Sequence, residues 1–90
     1  MQSSAAETLA LNALVFLAGE EEALGRFLEV SGLYPQDLRE RLDDPVLLAA
    51  VLDFVLGEDK LLLAFAQSEA VDPKVVHAAR RALPGAAPEF

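Results

Sequence analysis

Between Asp44-Pro45 and Gly57 runs VLLAAVLDFVL, residues 46–56, in which Asp53 is the only polar side chain. A capping Asp followed by a proline suited to the first helical position opens it, and Gly57 closes it, so the segment predicts a helix. A helix apolar on nearly every side has no face left for water and is stable only when other elements surround it. It is also too short to cross a bilayer, which takes about 20 apolar residues. The chain therefore has to wrap this helix, and the remaining segments must supply the wrapping.

Those segments carry helical signals too, and none alternates apolar and polar residues as a half-buried strand does. Ser4-Ala-Ala-Glu7 fits a capping box, which predicts a first helix over residues 5–18 closed by a left-handed Gly19. A second helix is expected over 21–31, with Ala23, Leu24, Phe27, Leu28 and Ser31 on one face and Gly32 as its stop. Pro35 opens a third over 35–42. A fifth follows the apolar helix over 59–69, and Asp72-Pro73 starts a sixth that Pro84-Gly85 terminates. The reading is an all-α, compact bundle of about six helices in one domain, with 84–90 as a loose tail.

The chain also repeats itself at an offset of 38 residues. Laying residues 9–38 on residues 47–76 matches Leu9/Leu47, Leu14/Leu52, Phe16/Phe54, Gly19/Gly57, Glu20/Glu58, Leu24/Leu62, Phe27/Phe65 and Pro35/Pro73, with no gap. The pattern predicts two pseudo-symmetric three-helix halves, about 5–42 and 44–83, each a long helix, a Gly corner, a second helix and a Pro-started third. Leu14, Phe16, Leu24 and Phe27 would meet Leu52, Phe54, Leu62 and Phe65 in a shared core.

Charge and composition narrow the function classes. The 90 residues carry a net charge of −8, which disfavours indiscriminate attraction to nucleic acid or anionic lipid. The negative charge is concentrated at the front: residues 1–59 hold twelve acids against Arg26, Arg39 and Arg41, whereas 60–83 hold Lys60, Lys74, Arg80 and Arg81 against Glu69 and Asp72. There is no Cys, so disulfides, thiolate catalysis and Cys-containing zinc sites are excluded. The apolar run Leu9–Ala18 follows no Lys or Arg and leads into Gly19-Glu20-Glu21-Glu22, unlike a signal peptide or a membrane span, which points to a cytoplasmic protein with no membrane association.

Taken together, FLAGEEEALGRFLEVSGLYPQDLR, VLLAAVLDFVLGEDKLLLAFA and PKVVHAARRALPG resemble the domain-of-unknown-function family DUF3572, short helical bacterial proteins, over about residues 9–85. The resemblance implies a helical fold and a cytoplasmic setting and brings no activity with it. The chain departs from the family pattern at Glu21-Glu22, where an Asp-Pro helix start is expected, and at Tyr34, which replaces a better capping residue.

Catalytic parts are scarce. One His, no Cys and no Ser in a nucleophile elbow leave no base beside a nucleophile, so an enzyme is not expected. No Glu-x-x-His and no calcium-loop spacing occurs, and Glu20-Glu21-Glu22 suits a helix dipole, so neither a metal nor another cofactor is expected. Two features stand out. Asp53, where the first half has Val15, is a candidate carboxylate at a site, or a structural partner for an Arg. Lys74, His77, Arg80 and Arg81 form a basic face on the last helix, opposite Val75, Val76, Ala79 and Leu83; it is a candidate partner-binding surface, or a set of cations suited to a helix C-terminus.

The leading expectation is a small non-catalytic protein-interaction module or accessory subunit whose partner and oligomeric state the sequence leaves open. The alternative is a helix-turn-helix-like nucleic-acid binder using Lys74, His77, Arg80 and Arg81 of the basic last helix, because Leu28, Gly32, Leu33 and Leu38, and again Ala66, Ala70, Val71 and Val76, echo a helix-turn-helix.

Overall fold

The computed structural model describes residues 1–85, and in them the chain forms six helices and no strand: α1 (Ser3–Ala18), α2 (Glu21–Ser31), α3 (Pro35–Glu40), α4 (Pro45–Leu56), α5 (Asp59–Ser68) and α6 (Pro73–Arg81). The all-α reading holds. Of the expected loose tail, residues 86–90 lie outside the described residues.

The helix α4 sits at the centre as its composition predicts, but it is not wrapped on every side: Val46 and Asp53 are exposed. It packs against α1, α2, α5 and α6, and Val51, Leu52 and Val55 have no solvent exposure, with Leu47 and Leu48 nearly as buried. Its opposing partner α1 buries a stripe that is mostly alanine: Ala6, Ala10, Ala13 and Leu17 are all fully buried, and Leu14 is nearly so. Small side chains at helical spacing bring two backbones close together, so α1 fits tightly where larger residues would hold it off. The expected core members divide into two groups. Leu14, Phe27, Leu52, Leu62 and Phe65 are buried, whereas Phe16, Leu24 and Phe54 are half-buried and pack around them.

Several helix ends are set locally, as the capping signals predict. The Asp44 carboxylate accepts the Val46 amide at 2.9 Å and the Asp72 carboxylate accepts the Lys74 amide at 2.8 Å, each with proline next in sequence. A hydrogen bond from the Arg41 guanidinium, helped by the Val46 amide, holds the Asp44 carboxyl below its usual range. The same contact explains why α3 stops at Glu40 rather than 42: Arg41 leaves the helical conformation and turns its side chain onto Asp44. At the start of α3, the Asp37 carboxylate accepts the Tyr34 amide at 2.8 Å, the reciprocal half of a capping box, in which the third helical residue satisfies the amide of the residue before the helix.

Two local expectations are corrected. The first helix begins at Ser3 with no side-chain cap, and Ser4 sits inside its first turn, where its carbonyl accepts the Thr8 hydroxyl. First-turn amides exposed to water need no protein partner. Gly19 is not left-handed: its φ of −77°, like the −75° of Gly57, lies in the right-handed region, and the chain turns out of the helix one residue later, at Glu20 and Glu58. The left-handed stops are Gly32, at φ 73°, and Ala70, at φ 56°.

These positions are 38 residues apart, as are Gly19 and Gly57, so corner conformations recur at the spacing of the sequence repeat. The third helices differ in their packing. Helix α6 lies against α1, α4 and α5, while the six-residue α3 makes no comparably extensive contact and buries mainly Leu38.

Candidate functional site

The two features singled out in the sequence meet each other. Arg80 Nε donates to Asp53 Oδ1 at 2.6 Å, joining α6 to α4, and Arg80 Nη1 donates to the Pro84 carbonyl at 3.1 Å and to that of Leu83 at 3.5 Å. Arg80 therefore turns inward from the basic face, and Lys74, His77 and Arg81 remain exposed on α6. Val76, Ala79 and Leu83 are buried and dock the helix, with Val75 half-buried. The ion pair is lopsided in exposure: the Arg80 side chain is 14% exposed and that of Asp53 is 58% exposed. Solvent meets the carboxylate more than the guanidinium.

Asp53 lies on the edge of a groove that sequence reasoning did not find. Phe27, Val30 and Ser31 of α2 and Ala50, Asp53, Phe54, Gly57 and Glu58 from α4 and its corner line an open cavity of about 510 Å3. Its floor is aromatic: the Phe27 and Phe54 rings stand 5.5 Å apart at 66°, an edge-to-face arrangement. Arg26 closes one end, with its guanidinium 5.7 Å from the Phe54 ring centre and its Nη1 donating to Glu58 Oε2 at 2.6 Å. Val30 stands beside this floor 79% exposed.

The aromatic residues 38 positions away from the groove's pair also stand together, in a setting whose polar groups differ. Adding 38 carries Phe27 to Phe65, and subtracting 38 carries Phe54 to Phe16; those two rings also lie 5.5 Å apart. Beside them Asn12 Nδ2 donates to Glu69 Oε1 at 2.8 Å, tying α1 to the end of α5. The residues at the matching positions of the α2–α4 groove are Ala50 and Ser31. Alanine has nothing to donate, and the Ser31 hydroxyl bonds back to Leu28 of its own helix at 3.3 Å. Val30 likewise stands where the other side has Ser68. The Asn12–Glu69 bridge flanks one aromatic contact; beside the other the Ala50–Ser31 edge is left open, and its charged groups are Asp53 and the Arg26–Glu58 pair at one end. Laying the chain on itself at an offset of 38 carries this signal: Asn to Ala, Glu to Ser and Ser to Val remove polar reach, while Val15 to Asp53 adds a carboxylate.

Among the described residues, no group of three or more acidic or histidine side chains comes together to hold a metal, and no helix is long and apolar enough to cross a membrane. Fold and groove together define a small six-helix bundle protein with an open interhelical cleft. The chain belongs to DUF3572, a family of proteins of unknown function, whose family model matches residues 3–86. No curated protein and no solved structure matches it.

Proposed function

We propose that this protein is a small non-catalytic interaction module or accessory subunit, and that it holds its partner in the α2–α4 groove. The exposed Val30 beside a half-buried Phe54 carries this reading, because an apolar floor left open to water gains free energy when another chain covers it. An aromatic anchor in a concave site with a charged rim is the usual make-up of an interaction hot spot. Catalysis is less well supported: His77 stands exposed on α6, and the Asp53 carboxylate is engaged by Arg80 at a surface position, so neither is set in a water-excluding site. The basic face of α6 is the weaker docking surface, since Arg80, one of its three Lys and Arg side chains, is turned inward. A cytoplasmic setting accompanies the proposal, in keeping with the acidic, cysteine-free composition.

The test is recovery of the tagged chain from its native cells, beside the variant Val30→Lys and the double variant Lys74→Glu/Arg81→Glu. A stoichiometric protein retained by the wild type and by the α6 variant, and lost from Val30→Lys while helicity is unchanged, is the expected result. Loss with the α6 variant alone, co-recovery of nucleic acid in place of protein, or a chain that emerges alone and monomeric overturns it.

A further inference from the structure

The polar chemistry of the groove identifies the class of partner. Its lining holds two carboxylates, Asp53 and Glu58, of which Glu58 is paired with Arg26 at the groove's end. Arg80 occupies one oxygen of Asp53, and no other hydrogen bond to that carboxylate is formed among the described residues, so Oδ2 is free to accept. Because Arg80 is sunk and Asp53 exposed, the pair presents negative charge on the groove side of α4. The whole molecule adds to this, with a net charge of −8 and most of its acids in the first 59 residues. The same charge opposes a second acidic copy at the site, since like charges brought together at an interface are costly.

We infer that the α2–α4 groove takes a cationic amphipathic helix, with one apolar side chain seated over Ala50 and Phe54 and a flanking Lys or Arg reaching Asp53. This rests on the groove reading above and names the partner's chemistry. The cleft runs between two helices, a shape that accepts a third laid along it, with anchors recurring at three- and four-residue spacing. The apolar seat gives affinity and the free carboxylate oxygen gives sign and register.

The test uses two synthetic helical peptides with the same apolar positions, one built of leucine and lysine and the other of leucine and glutamate, titrated against the full chain by calorimetry. The discriminating variant is Ser31→Glu/Ala50→Asn, which installs at the open groove the residues that form the Asn12–Glu69 bridge at the other. It makes the protein more acidic, so attraction to charge alone predicts equal or tighter binding of the lysine peptide. Occupation of the groove predicts at least about tenfold weaker binding.

Amide shifts on adding the lysine peptide to the wild type provide a readout independent of the variant's folding, and the expected shifts centre on Val30, Ala50, Asp53 and Phe54. Unchanged affinity in the double variant, shifts centred elsewhere, or equal binding of the glutamate peptide overturns the inference. So does self-association of the free chain that Val30→Lys abolishes. If Val30→Lys loses the cellular partner and the lysine peptide does not bind, the partner class falls while the groove reading stands.

Discussion

At the scale of single residues, Asp53 shows how burial and pairing decide what a charge in an apolar segment means. Its place in VLLAAVLDFVL makes it conspicuous, yet α4 is not enclosed on every side, and Asp53 projects from the open one. Its bond to Arg80 is a surface ion pair, worth about 0.2–1 kcal/mol. Asp53→Asn should therefore lower unfolding free energy by no more than about 1 kcal/mol in urea titration. Arg80→Ala should cost more, because it also removes the donor to the Pro84 and Leu83 carbonyls and the packing of a largely buried stem. A greater loss from Asp53→Asn than from Arg80→Ala would reverse this assignment. The sequence shows Asp53 to be unusual and offers an Arg as its partner; which Arg depends on how α6 lies across α4, and no local signal encodes that.

At the scale of elements, helix ends divide by how local their causes are. Asp44-Pro45 and Asp72-Pro73 were legible because the side chain that caps and the amide that is capped are two residues apart. Gly32 was legible as a stop because glycine takes φ 73° without steric cost. Ala70 was not, since nothing about alanine suggests φ 56°; it is held there by bonds from its own amide to Gln67 and from the Val71 amide to Ala66. A non-glycine residue in this region is strained, so Ala70→Gly should stabilise the protein by about 0.5–1 kcal/mol even after the added flexibility of the unfolded chain. Gly32→Ala, at the matching position, should destabilise it by a similar amount. Thermal unfolding of the two variants checks both signs, and a fall in melting temperature for Ala70→Gly would contradict the strain.

At the scale of the molecule, the fit of α1 onto α4 depends on what α1 lacks. Leucines and phenylalanines drew attention as core candidates, whereas Ala6, Ala10 and Ala13 are as buried as any residue in the fold. Small residues are weak signals of burial in a sequence, because they are as common on helix surfaces as inside. Ala10→Leu should overpack this contact and cost about 1–3 kcal/mol, while Val15→Leu, at a 72% exposed position of the same helix, should stay within about 0.5 kcal/mol. Equal stability of the two variants would show that α1 does not sit tightly. The same scale decides the groove. Ala50 and Ser31 are unremarkable alone and become informative only beside the Asn12–Glu69 bridge that occupies the corresponding positions 38 residues away.

By itself the sequence determined the helical class, the central place of α4, most of the helix boundaries through caps and stops, and the acidity of the surface. These follow from hydrophobic periodicity, composition and hydrogen bonds closed within a few residues, and such causes are present in any short stretch of chain. Only the tertiary structure decided which charges pair, how closely α1 approaches α4, and that the Ala50–Ser31 edge of the α2–α4 face remains open while Asn12 and Glu69 meet at the corresponding positions. Asp53 and Arg80 are 27 residues apart, and Asn12 and Glu69 are 57 apart. Contacts at such separations exist only after the helices have been laid against one another, so the burial that positions the helices comes before the polar chemistry between them.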